Sequence, residues 1–217
     1  MARVTTANSG RPGTARRRRG RGDAALASRR REHLVRLAAG LFAEKGFQAT
    51  TVRDIAKEAG ILSGSLYHHF DSKESIVDEL LTAYFAETAA AARAAVEAGE
   101  DARATLTALV HAAFASLEPH RAAITVLQND WNHLRSTARF AYVARSEAEI
   151  EALWVETIRR GQRDGQFRAD LDPELTHRMI RDAVRAAVRW SGRGERTDAA
   201  RLAEHHLGII LDGVHAR

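Results

Sequence analysis

The sequence contains no cysteine, and only three of its 217 residues are proline. Without cysteine, disulfides and thiolate metal sites are excluded. The scarcity of proline, together with abundant alanine, leucine, arginine and glutamate, favours long helices over sheets. No apolar run reaches the roughly 18 residues that a membrane helix needs, and the N-terminal arginines are not followed by the apolar stretch of a secretory signal. These absences predict a cytoplasmic, helical protein.

Catalytic motifs are absent as well. The sequence has no G-x-S-x-G, no S-x-x-K and no G-x-x-x-x-G-K-[ST]. No two histidines stand four residues apart with a glutamate between them, and the neighbouring pairs His68-His69 and His205-His206 point adjacent side chains to different sides. The sequence therefore predicts neither an enzyme nor a cofactor or metal site.

The positive charge is concentrated at the N-terminus. The net charge is +5, yet the first 32 residues carry ten arginines against Asp23 and Glu32, so the rest of the chain is mildly acidic. Residues 1–24 have almost no large apolar side chain and are predicted to be disordered. The run Arg16-Arg17-Arg18-Arg19 is typical of contact with a polyanion such as DNA. A solubilising leader is the alternative interpretation.

Hydrophobic periodicity predicts an all-α fold of about nine helices. The first runs from about Ser28 to Gly46, and the second follows Thr51 as N-cap, with Asp54 completing a capping box. A third short helix covers about 63–70. Asp71 and Glu74 suggest a second capping box, from which a long fourth helix starts. Helical patterns continue to Val214, with a loop from Gly165 to Pro173, and no segment alternates convincingly as a strand.

The second and third helices have the layout of a helix-turn-helix, whose second helix enters the major groove. Leu66 and Phe70 are expected to face the core. The opposite side then offers small or hydrogen-bonding residues, namely Ser63, Gly64, Ser65, Tyr67 and His68. An ordinary helical hairpin with solvated polar residues remains the alternative.

The residues from about Ser28 to Glu79 resemble the DNA-binding domain of TetR/AcrR-family transcriptional regulators. The matching segments are Phe42-Ala43-Glu44-Lys45-Gly46-Phe47, Thr50-Thr51-Val52-Arg53-Asp54-Ile55-Ala56, Ala59-Gly60, Leu66-Tyr67-His68-His69-Phe70 and Lys73-Glu74. The resemblance implies a homeodomain-like three-helix DNA-binding domain at 25–72 and a larger effector-binding and dimerisation domain at 73–217. It also implies a homodimer through the last two helices, a palindromic DNA operator and a small-molecule effector.

The resemblance also assigns roles to residues. Thr51 and Arg53 fall where the family contacts the DNA backbone. Base contacts fall on Ser63, Gly64 and Ser65, and phosphate contacts on Tyr67, His68, His69 and Lys73. Many members have a basic residue at the position of Gly64. We therefore hypothesise that the arm with Arg16, Arg17, Arg18 and Arg19 adds contacts in the adjacent minor groove.

The C-terminal half offers two sets of candidate effector residues. Trp131, Trp154 and Trp190 either fill the core or line a ligand cavity. His177, Arg181, Arg185 and Arg189 recur every fourth residue and form a basic stripe. This stripe is either an exposed polar face or an anion clamp at a pocket mouth, because guanidinium groups bind carboxylates and phosphates well.

Further strings resemble one TetR subgroup, the actinobacterial KstR-type repressors of steroid (cholesterol) catabolism. They are Ile61–Glu74, Gly161–Arg168, Asp170-Leu171-Asp172, Ile180-Arg181-Asp182 and Val188-Arg189-Trp190. The resemblance implies a repressor released by an acyl-CoA thioester from sterol or lipid catabolism and associated with the nucleoid. A TetR-family regulator of efflux or other catabolism with a non-CoA ligand is the alternative, and a non-specific architectural DNA-binding protein is a second one.

Overall fold

The structure is a computed structural model that describes the backbone of residues 13–189 and 198–214 and the side chains of residues 26–189 and 198–211. Ten α-helices make up this part of the chain: α1 (Gly13–Lys45), α2 (Val52–Glu58), α3 (Ser63–Leu66), α4 (Lys73–Ala98), α5 (Ala102–Ala115), α6 (Arg121–Asn129), α7 (Trp131–Leu134), α8 (Val143–Arg163), α9 (Pro173–Ala186) and α10 (Ala199–Val214). Short 3₁₀ turns follow α7 and α9, at Ala138–Phe140 and Ala187–Arg189. The all-α prediction is confirmed for these ranges.

The first helix is much longer than expected. It begins at Gly13 instead of Ser28 and spans 33 residues. The backbone of residues 13–24, which was predicted to be disordered, is therefore helical. Arginine and alanine are strong helix formers, and here their propensity outweighs the scattered glycines. Residues 1–12 of the predicted arm lie outside the described residues.

Two local predictions need correction. The cap of α4 is Ser72 and not Asp71: the Ser72 hydroxyl accepts a hydrogen bond from the Ser75 backbone N–H at 3.3 Å. Asp71 instead accepts one from the Arg139 guanidinium at 2.7 Å. The spacing of Ile124, Leu127, Trp131 and Leu134 in the sequence predicts one helix, but this helix is interrupted at Asp130, where α6 ends and α7 begins.

One continuous core connects the two predicted domains. In the N-terminal part, Phe42, Ile55 and Leu66 bring α1, α2 and α3 together, each with at most 2% of its surface exposed. The same core continues along α4 into the helices of the C-terminal half. Because α4 begins beside α3 and runs into the second half, it joins both parts. The boundary between 72 and 73 stays a prediction.

Candidate DNA-binding surface and effector cavity

The start of α2 has the predicted capping box. The Asp54 backbone N–H donates to the Thr51 hydroxyl at 3.1 Å, and the Thr51 backbone N–H donates to the Asp54 carboxylate at 2.8 Å. Hydrogen bonds from the Thr51 hydroxyl and backbone N–H lower the pKa of Asp54. Thr51 and Arg53 are both exposed at this end of the helix. The first turn of α2 therefore offers the surface on which contact with the DNA backbone was predicted.

Five of the predicted DNA-contacting residues lie in or directly after α3, which ends at Leu66 and is shorter than the predicted 63–70. Leu66 is buried, whereas Gly64, Tyr67 and His68 are exposed and the two serines are half-buried. A Cβ atom added at Gly64 would meet nothing within 4 Å, so packing inside the protein does not require glycine there. The structure thus brings Ser63, Gly64, Ser65, Tyr67 and His68 together on an open surface.

Sequence reasoning missed one residue of this surface, Leu62. Its side chain is 80% exposed, and its backbone is extended because it is the N-cap of α3. Spacing alone pairs Leu62 with the buried Leu66 four residues later, but that relation holds only inside a helix. A bare apolar side chain beside the serines is suited to contact with a thymine methyl group.

Lys73 does not extend from this surface as a free cation. Its ammonium donates to the backbone carbonyls of Phe47 at 2.7 Å and Thr50 at 2.9 Å, and it lies 4.1 Å from the centroid of the Phe47 ring. Burial lowers the pKa of Lys73. In this conformation Lys73 links α4 to the loop before α2, and its phosphate contact stays a prediction.

The backbone carbonyl of His69 also has a hydrogen-bond partner inside the protein. Its carbonyl accepts a hydrogen bond from the Arg31 guanidinium, which also lies over the Phe70 ring at 4.1 Å and binds Glu79 on α4. Arg31 therefore ties α1 to the end of α3 and to α4, a role that its place in an arginine-rich run did not reveal. The side chains of Arg16, Arg17, Arg18 and Arg19 lie outside the described ones, so their minor-groove contact stays a prediction.

An open pocket, called the effector cavity below, lies between α4, α5, α8 and α9; it holds about 610 Å³ of empty space, part of which is open solvent. Its walls are mostly apolar, and four of the seven candidate effector residues line it: Trp154, His177, Arg181 and Arg185. Trp131 lies elsewhere, half-buried against the core. Trp190 lies outside the described residues.

The orientation of α9 decides between the two interpretations of the basic stripe. His177 is 4% exposed and Arg185 is mostly buried, whereas Leu175 and Met179 are 53% and 67% exposed. The first three residues of the stripe thus face the cavity, and apolar side chains face outward. The exposed-face interpretation is therefore wrong for His177 and Arg185. A glutamate of α8 compensates the charge of Arg185, which donates a hydrogen bond to Glu147 at 2.9 Å. Arg189 alone is exposed.

The charged groups in the cavity wall are the guanidinium groups of Arg181 and Arg185 and the carboxylate of Glu147, and they lie beside a neutral histidine. Burial, reinforced by Arg181 and Arg185, lowers the pKa of His177 to about 4. Burial also acts to lower the pKa of Arg185, but Tyr84 and Glu147 raise it by more. Among the described residues, three buried wall atoms have no hydrogen-bond partner: Thr88 Oγ1, His177 Nδ1 and Arg185 Nε. An apolar cavity with unsatisfied polar atoms and two guanidinium groups is suited to an amphipathic anion.

Family models match both halves of the chain. The model of the bacterial regulatory proteins of the tetR family matches residues 34–80. A second model, of the tetracyclin repressor-like C-terminal domain, matches residues 99–214. Together they include the α2–α3 surface and, of the helices around the cavity, α5, α8 and α9.

Individual proteins agree with these matches. The HTH-type transcriptional repressor KstR2 of Rhodococcus jostii is 45% identical over 187 residues, which cover 86% of this chain and 92% of that protein. The structure of the ketosteroid transcriptional regulator KstR2 of Mycobacterium tuberculosis superposes with a TM-score of 0.82 at 41% identity, over 87% of this chain and 96% of that one. AibR, in complex with isovaleryl coenzyme A and operator DNA, shares the fold with a TM-score of 0.72 at 15% identity, over 83% of this chain and 97% of that one. The chain therefore belongs to the TetR family of transcriptional regulators, which are DNA-binding proteins and not enzymes, and it is related to the KstR2 repressors.

Proposed function

We propose that the protein is a ligand-responsive repressor that binds a palindromic operator as a homodimer and is released by an acyl-CoA thioester from sterol or lipid catabolism. The observation that carries the proposal is the inward orientation of Arg181 and Arg185 in a largely apolar cavity. Such a repressor acts in the cytoplasm, at the nucleoid.

The cavity supports this effector class because it combines two chemistries. Trp154, Phe85 and Ile180 offer apolar walls to a bulky acyl group. Arg181 keeps 28% of its side chain exposed, so it can meet phosphates that remain outside. The relation to KstR2, whose M. tuberculosis form is named a ketosteroid regulator, supports an effector from steroid breakdown.

The last two described helices support the homodimer. Leu175 and Met179 on α9 and Ile209 on α10 are large apolar side chains with more than half of their surface exposed. Large exposed apolar side chains on the last two helices of the chain fit a protein–protein interface. A second copy that packs α9 and α10 against the same helices covers these side chains by two-fold symmetry.

Release from DNA follows from linkage. The two heads of the dimer must reach successive major grooves, which lie about 34–36 Å apart. An effector that binds more tightly to a dimer with another head spacing weakens operator binding, and the operator weakens effector binding by the same factor. Because α4 lines the cavity and begins beside α3, it is the connection through which the spacing changes.

The test begins with a footprint upstream of the neighbouring genes. Protection of one discrete palindrome supports the repressor, whereas diffuse coverage supports an architectural protein. Release of the labelled operator is then measured by fluorescence anisotropy with steroid-derived acyl-CoA thioesters, their free acids and free coenzyme A. Release by the thioesters alone supports the proposal. Release by non-CoA compounds instead supports the alternative, a regulator of efflux or other catabolism.

A matched pair of variants on α9 connects the release to the cavity. Arg181→Gln removes a guanidinium that lines the cavity, and its partner Asp182 is exposed enough to stay solvated. Arg178→Gln removes an exposed guanidinium from the same helix and serves as the control. We expect R181Q to need about tenfold more thioester for release, the loss of roughly one charge-assisted hydrogen bond, and R178Q to behave as wild type. Equal responses of both variants argue against the anion clamp.

A further inference from the structure

Leu62, the residue before α3, has the most exposed large apolar side chain among the side chains that the structure describes. It is 80% exposed, against 53–67% for the other large apolar side chains that face solvent. The nearest apolar residues in the chain are turned inward: Ile61 is half-buried against the core, and Leu66 is 2% exposed. Burial of Leu62 against a partner would therefore gain free energy that the folded chain alone does not.

The backbone holds Leu62 in this outward position. Gly60 has a φ of +63°, in the left-handed region, and the Ile61 N–H donates to the Ala56 carbonyl at 2.9 Å, so the chain turns directly after α2. Leu62 itself is extended, at φ −71° and ψ 145°, and its side chain and that of Ile61 therefore point to opposite sides. Its carbonyl accepts a hydrogen bond from the Ser65 N–H at 2.9 Å. Because the backbone is already fixed, a partner that buries Leu62 has little of it left to order.

The position of Leu62 selects double-stranded DNA as this partner. Leu62 lies within residues 34–80, which match the tetR family model, and it directly precedes the predicted base contacts at Ser63, Gly64 and Ser65. Gly64 is exposed and has no side chain, so a DNA groove can come close to this end of α3. A surface that enters the major groove therefore carries Leu62 into it.

The composition of the segment determines what Leu62 can recognise. Residues 61–70 contain no arginine, lysine, asparagine, glutamine, aspartate or glutamate. These are the side chains that form the usual hydrogen bonds to guanine, adenine and cytosine in the major groove, whereas serine hydroxyls bind to any base. The feature of a base edge that an apolar side chain recognises is the C5-methyl group of thymine.

We infer that Leu62 is a specificity-determining residue that contacts the C5-methyl group of one thymine in each operator half-site. The inference rests on the proposed binding of a palindromic operator and adds how α3 distinguishes the bases. Thymine and uracil pair with adenine through the same hydrogen bonds and differ only in this methyl group. The protein therefore discriminates thymine from uracil at one position of the half-site, and Leu62 is the source of this discrimination.

The test replaces thymines by uracils in the operator that the footprint identifies. Each thymine, on either strand, is replaced together with its symmetry-related copy in the other half-site, and dissociation constants are measured by fluorescence anisotropy with the full-length protein. We expect one such pair of uracils to weaken binding by wild type about tenfold, roughly threefold for each lost methyl contact. Uracil at the remaining thymines is the internal control and should affect wild type and Leu62 variants equally.

Two variants assign this effect to Leu62. Leu62→Ala should bind the thymine operator at least about tenfold more weakly than wild type and should not respond to the pair of uracils that weakens wild type. Leu62→Met keeps an apolar side chain of similar volume and should keep the response. Because Leu62 is exposed, both variants should unfold at the urea midpoint of wild type.

Several outcomes would overturn the inference and leave the proposed repressor intact. Wild type that is unaffected by uracil at every thymine, or a half-site without thymine, is one of them. An equal response of L62A and wild type to the same uracils is another, since a different side chain then contacts the methyl group. A changed oligomeric state of L62A with unchanged operator affinity would assign Leu62 to a contact between proteins instead. A footprint without a discrete palindrome overturns the proposed operator binding as well.

Discussion

The carboxylate of Asp130 accepts a hydrogen bond from the backbone N–H of Phe47 at 3.3 Å, inside the protein. Phe47 follows α1 in the DNA-binding part, and Asp130 lies 83 residues later, between α6 and α7. Lys73 binds the carbonyl of the same Phe47, so both backbone groups of this residue have partners from other parts of the chain. The pair fixes the loop before α2 against the C-terminal half.

Removal of this carboxylate should destabilise the protein. Asp130→Ala leaves the Phe47 N–H buried without a partner, which costs about 1–3 kcal/mol of the free energy of unfolding. Asp130→Asn keeps an acceptor oxygen and is the control, with less than half of that loss. Urea denaturation at pH 7.5 measures both. An equal loss for both variants would mean that the charge of Asp130 matters more than its hydrogen bond to Phe47.

The stability of the protein should fall in mild acid because of His177. Its pKa is about 4 in the folded protein, against 6.5 in the unfolded chain, so the unfolded state binds more protons between these values. The contribution of neutral His177 to the free energy of unfolding is complete above pH 6.5. It is lost as the pH falls towards 4, and the loss is at most about 3 kcal/mol. We expect His177→Gln to flatten urea-derived stability over this window. The control is His205→Gln, at an exposed position; identical pH dependence in both variants would contradict the assignment.

Variants of Lys73 and Arg53 should distinguish a cation that stabilises the fold from a cation that contacts DNA. Lys73→Met removes bonds to backbone carbonyls and should lower the free energy of unfolding by about 1–3 kcal/mol. Arg53 is exposed, so Arg53→Gln should leave stability within about 0.5 kcal/mol of wild type. In operator binding, R53Q should reduce the slope of log K against log salt by about 0.9. A larger loss of slope in K73M, with unchanged stability, would instead support the predicted phosphate contact of Lys73.

Deletion of residues 1–22 tests the N-terminal arginines. We expect the shortened protein to bind operator more weakly and with a shallower salt dependence, because each lost phosphate contact removes about 0.9 from the slope. A second variant replaces Arg16, Arg17, Arg18 and Arg19 by glutamine in the full chain. It keeps the length of the helix, so it distinguishes the loss of charge from the loss of the helical segment. An unchanged salt slope in both proteins would exclude the arm from the interface.

Local signals in the sequence were sufficient for much of the DNA-binding part. The capping box of Thr51 and Asp54 involves residues three positions apart, and the burial of Leu66 and Phe70 follows from helical spacing, so both could be predicted. The link at Lys73 joins groups 23 to 26 residues apart, and no periodicity encodes it. Contacts of this kind depend on how the helices pack.

The face of α9 shows the same limit more sharply. Arg181 and Arg185 were recognised as a stripe, but a pattern of charges does not say which side of a helix meets the core. The answer depends on Glu147, which lies 38 residues earlier, on another helix. Charged side chains are normally exposed. Ligand-binding sites are an exception, because buried cations in such sites bind the ligand.

If the proposed dimer and effector site both hold, the two sides of α9 make the response of the protein depend on its own concentration. One side of the helix holds His177 and Arg185 in the cavity, and the other turns Leu175 and Met179 towards the proposed partner copy. In the proposed dimer, subunit association and effector binding therefore involve opposite sides of the same helix. By mass action, each then changes the apparent affinity of the other. In a cell with few copies of the protein, dimer formation would be incomplete. The effector concentration at half-maximal induction would then depend on the expression level of the protein.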